Sequence, residues 1–157
     1  MKAAVQRVYD ALLARGVNPR IVEFSESTRT AEEAARAIGT TVERIVKSLV
    51  FASTDQPILA LVSGGNRVAT ARLAEALGAP VRRADAELVR AATGFAIGGV
   101  PPLGHATELT VLLDEDLLGY DLVYAAAGTP NTVFPITPEE LLRVTGARVV
   151  ALKERGA

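Results

Sequence analysis

Two short stretches hold the residues whose types and spacing could do chemistry. One is Thr93-Gly94-Phe95-Ala96-Ile97-Gly98-Gly99-Val100-Pro101-Pro102-Leu103-Gly104-His105, which packs four glycines, a Pro-Pro pair and the chain's single histidine into thirteen residues. A helix is excluded there, because glycine costs about 1 kcal/mol and proline about 3 kcal/mol relative to alanine in a helix interior. Prolines cannot donate to a strand ladder, which restricts any strand to Phe95-Ala96-Ile97. The spacing predicts a short apolar strand running into a rigid loop. Gly98 and Gly99 leave their backbone unshielded, so a ligand can approach the N–H groups closely. Pro101 and Pro102 set their own φ and push the residue before each toward extended geometry. Such a loop presents amide donors at a fixed place, and it also suits a tight surface connection. The second stretch begins at Lys47, where a predicted helix hands over to the apolar run Leu49-Val50-Phe51. An ammonium there can point into a cleft, and it can equally serve a helix C-terminus through the dipole.

No side-chain nucleophile accompanies them. Gly-x-Ser-x-Gly and a Walker loop are absent, and Gly94, Gly98, Gly99 and Gly104 have the wrong intervals for a dinucleotide fingerprint. The chain has no cysteine, which removes thiol chemistry and disulfides, and a lone histidine is a poor metal site. Asp114-Glu115-Asp116 cannot converge on one point from a strand, since consecutive side chains face opposite ways; they read as a turn and helix start with Asp114 facing inward. What remains is catalysis by position and charge. A preorganised N–H donor aimed at a developing oxyanion contributes about 10²–10³ in rate, and a lysine can clamp a phosphate or carbonyl.

The elements that must hold these groups can be read from caps and periodicity. Val5, Val8, Tyr9, Leu12 and Leu13 predict a helix over residues 2–15, ended by Gly16. Residues 20–24 alternate as a strand, and 25–29 form a polar link. Thr30 and Glu33 make a capping box for a helix from Ala31 to Ile38, and Thr40-Thr41-Val42-Glu43 suggests a second short helix through Ile45 or Val46. Strands 47–53 and 57–63 flank a hairpin link at 54–56, and Ser63-Gly64-Gly65-Asn66 is a turn with glycine placed for positive φ. Helices follow over 70–77 and 86–92, then a strand at 109–113, a hairpin of 121–127 with 132–136, and a helix opened by Thr137-Pro138. A strand over 148–152 closes the series, and the last residues fray. The order predicts an α/β fold of the α+β type: a mixed, largely antiparallel, curled sheet surrounded by helices, in one domain over 1–157.

Composition agrees with a globular domain, 49% hydrophobic and 22% charged. Lys+Arg 17 against Asp+Glu 18 gives a charge of −1, which argues against broad nucleic-acid affinity and confines any such contact to one end of a molecule. The local positive excess is Arg67, Arg72, Arg82, Arg83 and Arg90, a solvated or phosphate-tracking face. No apolar run reaches membrane-span length and no signal-peptide core opens the chain, so the expectation is a cytoplasmic protein binding neither DNA nor membrane.

Val46-Lys47-Ser48-Leu49-Val50-Phe51 together with the Thr93–His105 stretch resembles the YbaK/ProX family, freestanding relatives of the editing domain of bacterial prolyl-tRNA synthetases. The resemblance runs from about Thr30 to Leu152 and takes in Asp114 and the hairpin Val123-Tyr124-Ala125-Ala126-Ala127-Gly128. It implies hydrolysis of the ester joining a wrong amino acid to the tRNA 3′ end, most simply on tRNA(Pro), without cofactor or metal. The partners it implies are the acceptor end and prolyl-tRNA synthetase. Lys47 matches the family lysine that contacts the terminal adenosine or its phosphate, and Gly98 to Pro102 match the family's Gly-x-x-x-Pro substrate loop that holds the carbonyl or amino group. Lys47, Gly98 and Gly99 are the catalytic residues on this resemblance. Thr93, Gly94, Val100, Pro101, Pro102, Gly104, His105, Asp114 and Gly128 complete the substrate site on the same resemblance. Water is the nucleophile, assisted by the ribose 2′-OH. Some relatives carry a histidine near the hairpin tip; here Asn131 is the residue that would stand in. Phe95, Ile97, Val100 and Leu103 suggest a compact pocket that favours alanine or a similar side chain. The rival readings are a non-catalytic module that holds tRNA ends or a small ligand, and a regulatory partner of a synthetase.

Overall fold

Caps and turn glycines set the helix boundaries. The computed structural model describes residues 1–25, 28, 30–54 and 56–154, so parts of the 25–29 link, Asp55 of the hairpin turn and the final residues lie outside the described residues. Helix α1 spans Ala3–Ala14. Helix α2, Ala31–Ile38, starts where the Thr30 side chain accepts from the Glu33 N–H and stops at Gly39 in the left-handed region. Helix α3, Thr70–Leu77, and α4, Ala86–Thr93, end in the same way at Gly78 and Gly94. Helix α5, Pro138–Thr145, has Thr137 as its N-cap and Gly146 as its stop. Each of these signals acts within four residues, which is why their positions follow from local sequence.

The strands are β1 Val22–Glu23, β2 Ile45–Ser53, β3 Gln56–Ser63, β4 Arg82–Arg83, β5 Thr110–Asp114, β6 Val123–Ala126, β7 Thr132–Ile136 and β8 Arg148–Val150. They form one mixed sheet in the order β1-β7-β6-β2-β3-β5-β8, with β4 attached to β2. The β2–β3 and β6–β7 hairpins are antiparallel, as are β1–β7 and β2–β4; β2–β6, β3–β5 and β5–β8 are parallel. The expected α+β architecture is therefore present.

Both faces of the sheet are covered, and β3 is buried from Ile58 to Ser63. One face packs Val46, Val50, Leu59 and Leu61 against Val8 and Leu12 of α1, Val89 of α4 and Leu141 of α5. The other packs Phe51, Ile58, Ala60 and Val62 against Leu73 of α3, while Ala34 and Ala35 of α2 cover Ile45 and Tyr124. No described helix is long and apolar enough to cross a membrane.

Four local expectations are corrected. The Thr40–Glu43 box opens only a 3-10 turn, Val42–Arg44, and Thr41 makes no side-chain cap bond. Strand pairing takes over at once, since Ile45 and Val46 already pair with Tyr124 and Ala125 of β6. Gly64 and Gly65 are not in the positive-φ region; a Cβ at Gly64 would come within 2.3 Å of the Val42 carbonyl oxygen, so close approach demands this glycine. Phe95-Ala96-Ile97 is not a strand, because Gly94 reverses the chain after α4 and Phe95 is buried in the core instead. Arg82-Arg83, expected only to precede a helix, forms β4 by pairing with Ala52 and Phe51.

Candidate active site

Strand β2 carries the site because its outer edge is used twice with a gap between. At its start Ile45 and Val46 pair with β6; near its end Phe51 and Ala52 pair with β4. Lys47, Ser48 and Leu49 have β3 on one side and no described strand on the other. That stretch lines a cleft of about 650 Å³. Its floor includes Ile45, Leu49, Tyr124, Ala126 and Val133; Thr30, Ala31 and Glu32 of the α2 entry, with Ile97, Gly98, Val100, Thr129 and Pro130, form its walls. Alternation along β2 puts Ile45, Lys47 and Leu49 on the face that α2 covers, so the Lys47 side chain extends over the cleft floor.

Lys47 sits in the third position of β2, not at the end of a helix as its sequence context suggested. Its half-buried ammonium donates to the Asn66 carbonyl at 2.5 Å. Asn66 is held in turn, its Nδ2 donating to Oδ2 of Asp114 and of Asp116 at 2.8 Å each. Burial pushes the Lys47 pKa below the ordinary lysine value; Arg67 and Arg83 lower it further, against the opposite pull of Glu32 and Asp114. The Ser48 Oγ, in a residue that lines the cleft, is buried with no hydrogen-bond partner among the described residues, a cost of about 1–3 kcal/mol.

The structure divides the other predicted residues into groups. Gly98 and Val100 line the same cleft as Lys47. Gly99 lies beside it, with its N–H committed to the Ala96 carbonyl at 3.1 Å in the turn. Behind it stands Gly128: a Cβ on Gly99 would lie 2.7 Å from the Gly128 oxygen, and one on Gly128 2.7 Å from the Ala4 oxygen. The loop, the hairpin tip and the first turn of α1 are stacked backbone on backbone. Thr93 is fully buried, and its Oγ1 donates to the Val89 carbonyl at 2.7 Å while accepting from the Phe95 N–H at 3.0 Å. The Gly94 carbonyl accepts from Arg7 of α1, whose guanidinium lies 5.0 Å from the Phe95 ring centroid. These contacts hold the loop down and leave it little freedom.

Pro102, Gly104 and His105 line a second depression of about 700 Å³, with Arg15 and Thr145, away from Lys47. Pro101 is buried between the two, and its carbonyl lies 2.7 Å from His105 Nε2. Asp114 is completely buried and accepts from the N–H groups of Ser63 and Asp116, so it positions Asn66 beneath Lys47. Phe95 and Leu103, offered from sequence as pocket residues, are in the core; Ile97 and Val100 do line the cleft. The Asn131 side chain is spent on Phe24 and Thr129. Thr30, Glu32, Ser48, Tyr124, Thr129 and Pro130 were not singled out for the site from sequence, because they come from four separated segments with no shared local signal.

His105 gives a pH prediction. Burial, with Arg15 adding to it, pushes its pKa below 6.5, against the opposing bond to Pro101. The unfolded chain therefore binds the proton more tightly, and stability is lost as pH falls from 6.5 toward the folded-state value. Urea midpoints at about pH 7.5 and about pH 5 should fall more for the native chain than for His105→Gln. An equal fall in both would assign the acid sensitivity to other groups.

The sequence model of the aminoacyl-tRNA editing domain matches residues 25–144. The chain is 35% identical over 130 residues to the "Uncharacterized protein YwhH" of Bacillus subtilis (strain 168), covering 82% of this chain and 83% of that protein. It is 28% identical over 127 residues to the "Putative Cys-tRNA(Pro)/Cys-tRNA(Cys) deacylase EbsC" of Enterococcus faecalis (strain ATCC 700802 / V583), covering 80% and 77%. Among solved structures, a "putative trans-editing enzyme for prolyl tRNA synthetase" superposes with a TM-score of 0.94 at 52% identity, over 98% of this chain and 99% of that one.

Proposed function

The chain belongs to the aminoacyl-tRNA editing domain family, and from that premise we propose that it removes a small non-cognate amino acid, alanine or one of similar size, from tRNA(Pro) in trans. The family act is ester hydrolysis: water adds to the aminoacyl carbonyl, the bond to the ribose oxygen breaks, and that oxygen takes the proton. The observation that carries the reading is that Lys47 and the loop residues Gly98 and Val100 line one cleft beside the open edge of β2.

In this proposal the Lys47 ammonium holds the terminal adenosine or its phosphate, and the Gly98 N–H faces the carbonyl oxygen as it gains charge. Gly99, Gly128, Thr93 and Gly94 act behind the surface by keeping Gly98 in place. Water approaches with the help of the ribose 2′-OH, which suits a cleft lined by no cysteine and no histidine. The floor of Ile45, Leu49, Ala126 and Val133 gives an apolar seat for a small side chain. The prolyl assignment draws support from the tRNA(Pro) and prolyl-tRNA synthetase in the names of the two relatives.

The test is ester loss from tRNA(Pro) charged separately with alanine, cysteine, serine or proline, each against an enzyme-free control. Selective loss of a small non-cognate ester is expected, with the prolyl ester spared. No acceleration of any ester would overturn the hydrolase reading, and binding without turnover would mark a tRNA-end module.

A further inference from the structure

Among the described residues the cleft is lined by one cation and one anion, Lys47 and Glu32. Glu32 stands in the first turn of α2, where the helix dipole favours a negative charge. No hydrogen bond or ion pair within the described chain engages its carboxylate, yet its field reaches Lys47 and acts on it in the sense opposite to Arg67 and Arg83. Lys47 and Glu32 thus give one cleft a cationic and an anionic group. The wall that presents Glu32 is anchored as well, because Thr28 just before α2 donates from both its N–H and its Oγ1 to the Pro130 carbonyl of the hairpin tip.

An aminoacyl ester of RNA carries the complementary pair of charges. Phosphates lie on one side of the reacting carbonyl, and a free α-ammonium sits one carbon beyond it on the other. With phosphate drawn toward Lys47, the carboxylate that the cleft offers the ammonium is Glu32. We propose that Glu32 is the residue that receives the substrate's α-ammonium, so that the site selects for a free amino group and against an acylated one. The inference rests on the proposed deacylase reading for its substrate, but it concerns a group that every aminoacyl ester carries, whichever amino acid is removed. A charge-assisted hydrogen bond at a partly exposed rim corresponds to about tenfold in affinity.

The experiment has two arms. In the first, the stable amide 3′-alanylamino-3′-deoxyadenosine and its N-acetyl form are titrated into the native protein and into Glu32→Gln. The native protein should prefer the free amine about tenfold, and Glu32→Gln should lose that preference while holding the acetylated form unchanged. Equal affinity of the native protein for both forms, equal weakening of both by the substitution, or no binding of either would overturn it. In the second arm, Ala-tRNA(Pro) and N-acetyl-Ala-tRNA(Pro) are hydrolysed by the same two proteins. Turnover that ignores Glu32 leaves the deacylase standing and removes this inference. Glu32-dependent binding without turnover does the reverse.

Discussion

Lys47→Met is expected to slow ester hydrolysis by about 10²–10³-fold while the urea midpoint stays level or rises. The two readouts separate because of where the ammonium sits. It is half-buried, its pKa is held down chiefly by burial, and its recorded bond is to the Asn66 carbonyl. Methionine keeps the unbranched apolar stem of lysine and omits the ammonium, so the cleft floor beside Leu49 and Tyr124 stays filled. What disappears is a charge that the folded protein desolvates and that the proposed substrate uses. Asn66 is only partly buried and keeps its two bonds to Asp114 and Asp116, so the turn beneath should hold. Lys47→Arg should rescue poorly, since a planar guanidinium cannot occupy a point-charge site at the same depth. A folded Lys47→Met protein with undiminished turnover would remove Lys47 from the reaction.

Gly128→Ala is expected to destabilise the fold by about 3 kcal/mol or more. Two penalties coincide at this residue. Its φ of +110 lies where side chains are strained, and an added Cβ would meet the Ala4 oxygen at 2.7 Å and the Ala4 carbonyl carbon at 2.9 Å. Backbone atoms in a helix cannot swing away as the end of a side chain can. Gly99→Ala should also be costly, since its Cβ would fall 2.7 Å from the Gly128 oxygen and 2.9 Å from the Thr129 Cα. Gly119→Ala is the control: its φ is ordinary and nothing lies within 4 Å of the added atom. It should change stability by less than about 0.5 kcal/mol. Urea unfolding of the three variants checks the order, and a Gly128→Ala protein as stable as Gly119→Ala would show that α1, the hairpin tip and the loop are not stacked this closely. The site consequence is direct. The same stack fixes Gly98, so Gly99→Ala should lose turnover even in the fraction that remains folded.

Much of the architecture was written locally. Thr30 with Glu33, Asp85 before α4 and Thr137 with Pro138 each satisfy N–H groups of their own helix, and Gly39, Gly78, Gly94 and Gly146 each stop one by adopting positive φ. These interactions close within a few residues, so they can be read without knowing what the chain packs against. The β2–β3 hairpin and the inward Asp114 were legible for similar reasons, alternation and a tight turn.

The rest depended on partners far along the chain. Nothing in Arg82-Arg83, two exposed charges, announces a strand; it exists because the edge of β2 at Phe51 and Ala52 is free to accept it. The Thr40–Glu43 box reads as a helix start, yet pairing with β6 claims the chain at Ile45. The glycine-proline stretch was recognisable as one motif, but its residues serve different surfaces. Gly98 and Val100 reach the Lys47 cleft, whereas Gly104 and His105, beyond buried Pro101, line the second depression. Glu32 shows the same limit from the other side: in the sequence it was one acid within a capping box, and only the packing of α2 over Ile45 and Tyr124 brings it to the wall of the cleft. By itself the sequence determined where most helices begin and end and which strands form hairpins, and it marked Lys47 and the glycine-proline loop as candidates, because those signals are short-range. Which of these residues share a cavity was decided by the gap between β6 and β4 along β2, a product of long-range pairing that no local spacing encodes.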